Sequence, residues 1–160
     1  MKKSLSTMLI SEPKSVALLI DYLNQTPYPT EVNIAILDDS KSYPDRAYAK
    51  VDHHLGIHAP DLPQLAHEFR EQYALLRRRY RQRRDAVGPN DGGVSGGMEE
   101  LVFRILSMTT CLLLVCPDHS SAWADRRRAL LNDDDAVMEE CALRKEMDFC
   151  NLLFTQHSKA

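Results

Sequence analysis

The sequence predicts an all-α fold, antiparallel helical hairpins stacked as an α-solenoid behind an irregular N-terminal segment. Three observations predict it. Leu62, Leu65, Phe69, Tyr73, Leu76 and Tyr80 recur in steps of three and four, which line one face of a helix. Leu101, Val102, Ile105, Met108, Leu112 and Val115 repeat that pattern further along. Finally, "LLLVCPDHS" at 112–120 is echoed by "LLFTQHSKA" at 152–160, 40 residues later, each closing an apolar helix with a polar turn. Helical hairpins repeating at that length bury their faces only against neighbouring hairpins, which is how a solenoid is built.

Taken in order, residues 1–60 form an N-terminal helix and an irregular segment. Ser11, Glu12 and Pro13 open the helix with an N-cap hydroxyl and a first-turn proline, and Val16, Leu19, Ile20 and Leu23 make its apolar face. "EVNIAIL" at 31–37 alternates weakly, as a short strand would. From Asp38 to Pro60 the chain is polar, broken by Pro44, Gly56 and Pro60, and reads as an irregular connection. Residues 61–84 are the amphipathic helix with a basic end, "RRRYRQRR", six arginines in eight residues. Residues 85–97, "DAVGPNDGGVSGG", read as a Gly-rich flexible linker with nothing to pack. The block from 98 to 160 holds one complete and one truncated repeat. Its "CLLLVC" is apolar all round and requires cover on several sides. Pro117 stops that helix, and Asp118 is placed to cap the next, which carries Trp123 and Leu130 two turns apart. "NDDDA" sets carboxylates at the positive end of a last helix, where Leu143, Met147, Cys150 and Phe154 keep a 4, 3, 4 rhythm.

Composition excludes several classes of function. The formal net charge is −3, so no global positive field draws the molecule onto nucleic acid, and aromatics at 7% are too sparse for a base-stacking surface. No apolar run approaches the roughly 18 residues of a membrane helix, and the N-terminal apolar stretch is interrupted too early for a secretory signal. The four cysteines, Cys111, Cys116, Cys141 and Cys150, form no C-x-x-C pair and read as buried free thiols of a reducing compartment. The chain therefore reads as soluble and cytoplasmic.

"CPDHSSAWADRRRALL" at 116–131 carries the most specific pattern, in which Pro117 is followed by Trp123, then by Arg126 and Arg127. An indole buries a large flat area between hairpins, and an arginine one turn on lies over it or reaches a carboxylate with its planar fork. This spacing resembles the repeat of protein prenyltransferase alpha subunits. "VDHHLGI", "YALLRRRYRQ" and "TTCLLLVCPDHSSAWADRRRALL" together look like the N-terminal part of that family, over roughly residues 50–80 and 98–160.

The resemblance implies the scaffold half of a heterodimeric transferase. Such repeats form a crescent around a beta subunit that holds a catalytic zinc and the isoprenoid diphosphate, and the pair transfers the isoprenoid to a cysteine of a protein substrate. This chain would then hold no cofactor and no catalytic residue, would be inactive alone, and would offer Pro117, Trp123, Arg126 and Arg127 as repeat-motif or partner-interface residues. Neither nucleic acid nor membrane insertion is expected. The family's lysine and tyrosine before the tryptophan are replaced by Asp118 and Ser120, and Lys159 falls near the corresponding lysine of the second repeat. With that second repeat truncated, the chain looks like an N-terminal fragment or short isoform. The alternative is a non-catalytic helical-repeat adaptor for another protein.

Other clusters read more plainly. Asp52, His53, His54 and His58 are potential metal ligands, but Gly56 and the lack of a helical frame favour a loop role. "HEFRE" at 67–71 lacks the second histidine of a zinc-protease helix, and "GPNDGGVSGG" has no following lysine. The arginine run is open to three readings: a solvated helix end, a contact for an acidic protein, or a site for RNA or another polyanion.

Overall fold

The computed structural model describes residues 14–24, 29, 31–35, 48–51, 53–86, 95–131 and 140–157. The chain is mostly helical. Helix α1 spans Lys14–Asn24, α2 Leu62–Ala86, α3 Ser95–Val115, α4 Ser120–Leu131 and α5 Glu140–His157. Among the described residues, no helix is long and apolar enough to cross a membrane.

The connection expected to be irregular instead contains two strands. Strands β1 (Glu31–Ala35), β2 (Tyr48–Val51) and β3 (His54–His58) form a three-stranded sheet in the order β1-β3-β2. β3 lies parallel to β1, with Val32 opposite Leu55, and antiparallel to β2, with Lys50 opposite Leu55. Only Leu55 and Ile57 bury side chains from β3, because alternation sends His54 outward. Gly56 is no obstacle here, since it occupies the strand's outward-facing set beside two paired backbones.

α2 and α3 run antiparallel. The Arg83 guanidinium, near the end of α2, lies 3.1 Å from where a side chain on Gly97, near the start of α3, would begin. At the other end Arg70 Nη2 donates to Cys116 Sγ at 3.3 Å. The stripe Leu65, Phe69, Tyr73, Leu76 and Tyr80 is buried along α2, as are Ile105, Met108, Leu112 and Val115 along α3, while Leu101 and Val102 are half-buried. Every residue from Cys111 to Cys116 is buried, so the all-round apolar end of α3 is covered on all sides. α3 starts at Ser95, which places Gly96 and Gly97 in the helix rather than in a linker. Residues 87–94, the opening Ser11–Pro13, the "NDDDA" stretch, the side chain of Cys141 and Lys159 lie outside the described residues.

α4 turns back along α3, and α5 meets α4 through Phe149, beside Trp123 and Arg126. α5 also packs on the sheet, where Thr155 Oγ1 accepts from Val32 N of β1 at 3.4 Å. The face α5 buries is not the one the sequence rhythm marks. Phe149, Leu152 and Leu153 point into the core, whereas Leu143, Met147 and Phe154 are exposed and Cys150 is half-buried. Two apolar stripes share this helix, and the sheet and α4 take the second.

Candidate functional site

The turn between α3 and α4 sets the geometry. Pro117 lacks the amide proton needed to continue α3. His119 N donates to Cys116 O at 3.2 Å and closes the turn. His119, not the exposed Asp118, caps α4: its Nδ1 accepts from Ala122 N at 3.2 Å, and its carbonyl accepts from Ala122 and Trp123 N. The imidazole is held edge-on against the Tyr73 ring, 5.4 Å between centroids.

Trp123 folds back over this turn and its Nε1 donates to the Pro117 carbonyl at 2.8 Å. The pair therefore act together, the proline supplying an acceptor left free at the end of α3. Trp123 is half-buried rather than fully enclosed, with its ring 6.3 Å from that of Phe149 on α5.

One turn on, the two arginines part company. Arg127 is exposed, whereas Arg126 is buried, at 7% exposure. Its Nε donates to Glu146 Oε1 at 2.8 Å and its Nη2 to Glu146 Oε2 at 2.6 Å, a forked pair with a carboxylate of α5. Its Nη1 donates to Leu106 O, Thr109 Oγ1 and Thr110 Oγ1 at 2.9, 3.1 and 2.7 Å. Both threonine hydroxyls give their own protons back to α3 carbonyls, to Ile105 and Leu106, leaving lone pairs for the guanidinium. The flat face of Arg126 lies 4.4 Å from the Phe149 ring centroid, so it stacks on that ring and not on the indole. Nearby, burial pushes the Cys150 thiol pKa up, with Glu146 adding to the effect and Arg126 opposing it.

A second buried charge sits on a neighbouring face of α4, about 100° round the helix. Asp125, 1% exposed, accepts from Tyr73 Oη at 2.6 Å and from Arg128 Nη1 at 3.0 Å. Arg77 Nε lies 2.6 Å away, as an ionic contact without the alignment of a hydrogen bond, and Arg81 Nη2 lies at 3.8 Å. Burial, then the bond to Asp125, push the Tyr73 phenol far above its ordinary range. Part of the arginine run is thus turned inward to neutralise α4, a role not contained in any reading of the run alone. The signals for the two networks were thin: a "TT" pair inside an apolar helix, and an aspartate between tryptophan and arginine.

The histidine cluster does not converge. His54 pairs with Glu31 at 3.3 Å and His58 with Asp61 at 3.0 Å, while His53 is exposed and Asp52 lies outside the described residues. Among the described residues, no three potential ligands are grouped to hold a metal ion. His67 and Glu71 face each other at 3.6 Å on the exposed side of α2.

Arg126 therefore joins α3, α4 and α5, and Asp125 joins α4 to α2, so consecutive residues of one helix clamp three neighbours. No protein-family model, curated protein or solved structure matches the chain.

Proposed function

We propose that the chain is the alpha-type scaffold subunit of a protein prenyltransferase, acting with a zinc-bearing beta subunit to transfer an isoprenoid to a cysteine of a protein substrate. What carries this reading is the use made of the motif residues. Pro117 and Trp123 lock the turn of one hairpin, and Arg126 fastens that hairpin to the first helix of the next through Glu146. A repeat motif in a solenoid has this task, to fix each hairpin and its neighbour in a constant orientation. The resemblance in residues 50–80 and 98–160 supplies the family. The chemistry belongs to the partner, where zinc holds the substrate sulfur as thiolate at neutral pH. This chain's residues contribute shape and rigidity. Of the motif residues, the exposed Arg127 is the one left to meet a partner.

Co-expression with a prenyltransferase beta subunit tests this, using this chain and a C-terminally extended form. Co-purification of a complex that transfers labelled isoprenoid to a cysteine-bearing protein is the expected result. An extended form that folds well alone and never co-purifies would replace the enzyme-subunit reading with that of a non-catalytic adaptor.

A further inference from the structure

The arginine run forms one wall of a cleft of ≈ 450 Å³ whose other wall is His119 in the α3–α4 turn. Arg70, Arg77, Arg78, Arg81 and Gln82 line it from α2. Spacings of seven, eight and eleven residues from Arg70 keep these four guanidinium groups on one side of the helix. Two carboxylates oppose them, Asp125 beneath and Asp85 on the rim, the latter held by Arg84 at 3.1 Å. Positive charge is left over in a chain whose overall charge is −3, so it is concentrated here and not spread across the surface. The size is that of a small-molecule site.

The floor is preorganised. Asp125 holds Arg77 in place, and Tyr73, Asp125 and Arg77 are tied together at 2.6 Å contacts. Because His119 Nδ1 accepts from the Ala122 amide, the neutral ring carries its proton on Nε2 and keeps one donor. Arg78 is exposed and no described carboxylate pairs with it. Planar forks and an imidazole donor suit the tetrahedral oxygens of phosphate, whose several charges are matched by several guanidinium groups. The rings that line the cleft are Tyr73, buried and covered by Arg77, and His119, packed edge-on against Tyr73, so a nucleobase finds little open stacking surface there.

We propose that this cleft binds a small ligand through clustered phosphate groups. The proposal is independent of the prenyltransferase reading. Inorganic tripolyphosphate and inositol hexakisphosphate present the same oxyanions from two sources.

Calorimetric titration of the full chain at physiological ionic strength tests it, with tripolyphosphate, inositol hexakisphosphate, ATP, a triglutamate peptide and a short single-stranded RNA as ligands. Stoichiometric binding of either of the first two is expected, the tighter one naming the source, with ATP no tighter than tripolyphosphate. Arg78→Glu should weaken binding by about ten- to a hundred-fold, the loss of a charge-assisted contact, while the unliganded melting point stays in place. If that variant melts early, Gln82→Glu introduces a carboxylate on the same wall and should weaken binding in the same way. Lys145→Glu, on exposed α5, makes the same charge change away from the cleft and should leave binding intact. The proposal is overturned if neither phosphate compound binds, if triglutamate or the RNA binds as tightly, or if Lys145→Glu weakens binding as much as the cleft variants.

Discussion

Arg126 and Arg127 are neighbours in sequence with opposite energetic weight. Removing the Arg126 guanidinium strands Glu146 in a largely enclosed site and leaves the lone pairs of Thr109 and Thr110 without donors. Breaking one side of a buried ion pair costs about 3–5 kcal/mol, so Arg126→Ala should lower the urea midpoint sharply. Arg127→Ala should fall within about 0.5 kcal/mol of the parent, as an exposed substitution does. Equal effects from the two would refute the geometry. Tyr73 gives a second reading at this scale, through pH. Its folded-state pKa is raised, so the folded chain keeps the phenolic proton after the unfolded chain has lost it. The stabilisation is complete below about pH 10, the ordinary tyrosine value, and is lost above it by at most about 1.4 kcal/mol per pH unit. Tyr73→Phe should therefore be less stable at neutral pH, by about 1–3 kcal/mol for the unsatisfied Asp125, and show a flatter alkaline decline. Parallel alkaline slopes for the two proteins in chemical denaturation would contradict this. In sequence, Pro117, Trp123 and the arginines after it were legible as a motif. The partners of Arg126, Thr110 on α3 and Glu146 on α5, were not, because each lies on another helix and separation along the chain says nothing about which helices meet.

Among the elements, the clearest periodicity was the easiest to place: six residues in steps of three and four set out α2, and five of them are buried. The short strands were hidden because β2 and β3 are four and five residues long, and β3 spends two of its residues on histidine and one on glycine. β3 does alternate, but over five residues that pattern has little weight beside two histidines and a glycine. α5 shows a different limit. Leu143, Met147, Cys150 and Phe154 form a regular stripe, yet Phe149, Leu152 and Leu153 face the core, and only the position of α4 and the sheet decides between them. The two neighbours Leu153 and Phe154 test that orientation. Leu153→Ala should cost about 2–5 kcal/mol, the range for emptying a buried site. Phe154→Ala, at a side chain 71% exposed, should cost less than about 0.5 kcal/mol by thermal melting. The reverse order would mean that α5 is rotated about its axis.

On the scale of the whole molecule, the hydrogen bond between Val32 and Thr155 closes a span of 123 residues. Proteins emerge from the ribosome N-terminus first, so β1, β2 and β3 are exposed to the cell well before α5 exists to lie against them. Closing so long a loop adds little to the equilibrium cost, which grows only with the logarithm of length, but contacts of long range slow folding. The helices α2, α3 and α4 meet through nearer contacts, from Tyr73–Asp125 to Trp123–Pro117, and are free to dock first. Nascent chains halted once residue 131 has itself left the exit tunnel should therefore resist protease across α2 to α4 while the strand segment is cut, with protection of β1 appearing only once α5 has also cleared the tunnel. Protection of β1 in the halted chains would show that the sheet is held by α1 and α3 alone. The order of synthesis thus leaves a half-covered strand edge for most of the chain's production, an interval in which its unpaired backbone is open to wrong neighbours before the protein's own last helix arrives.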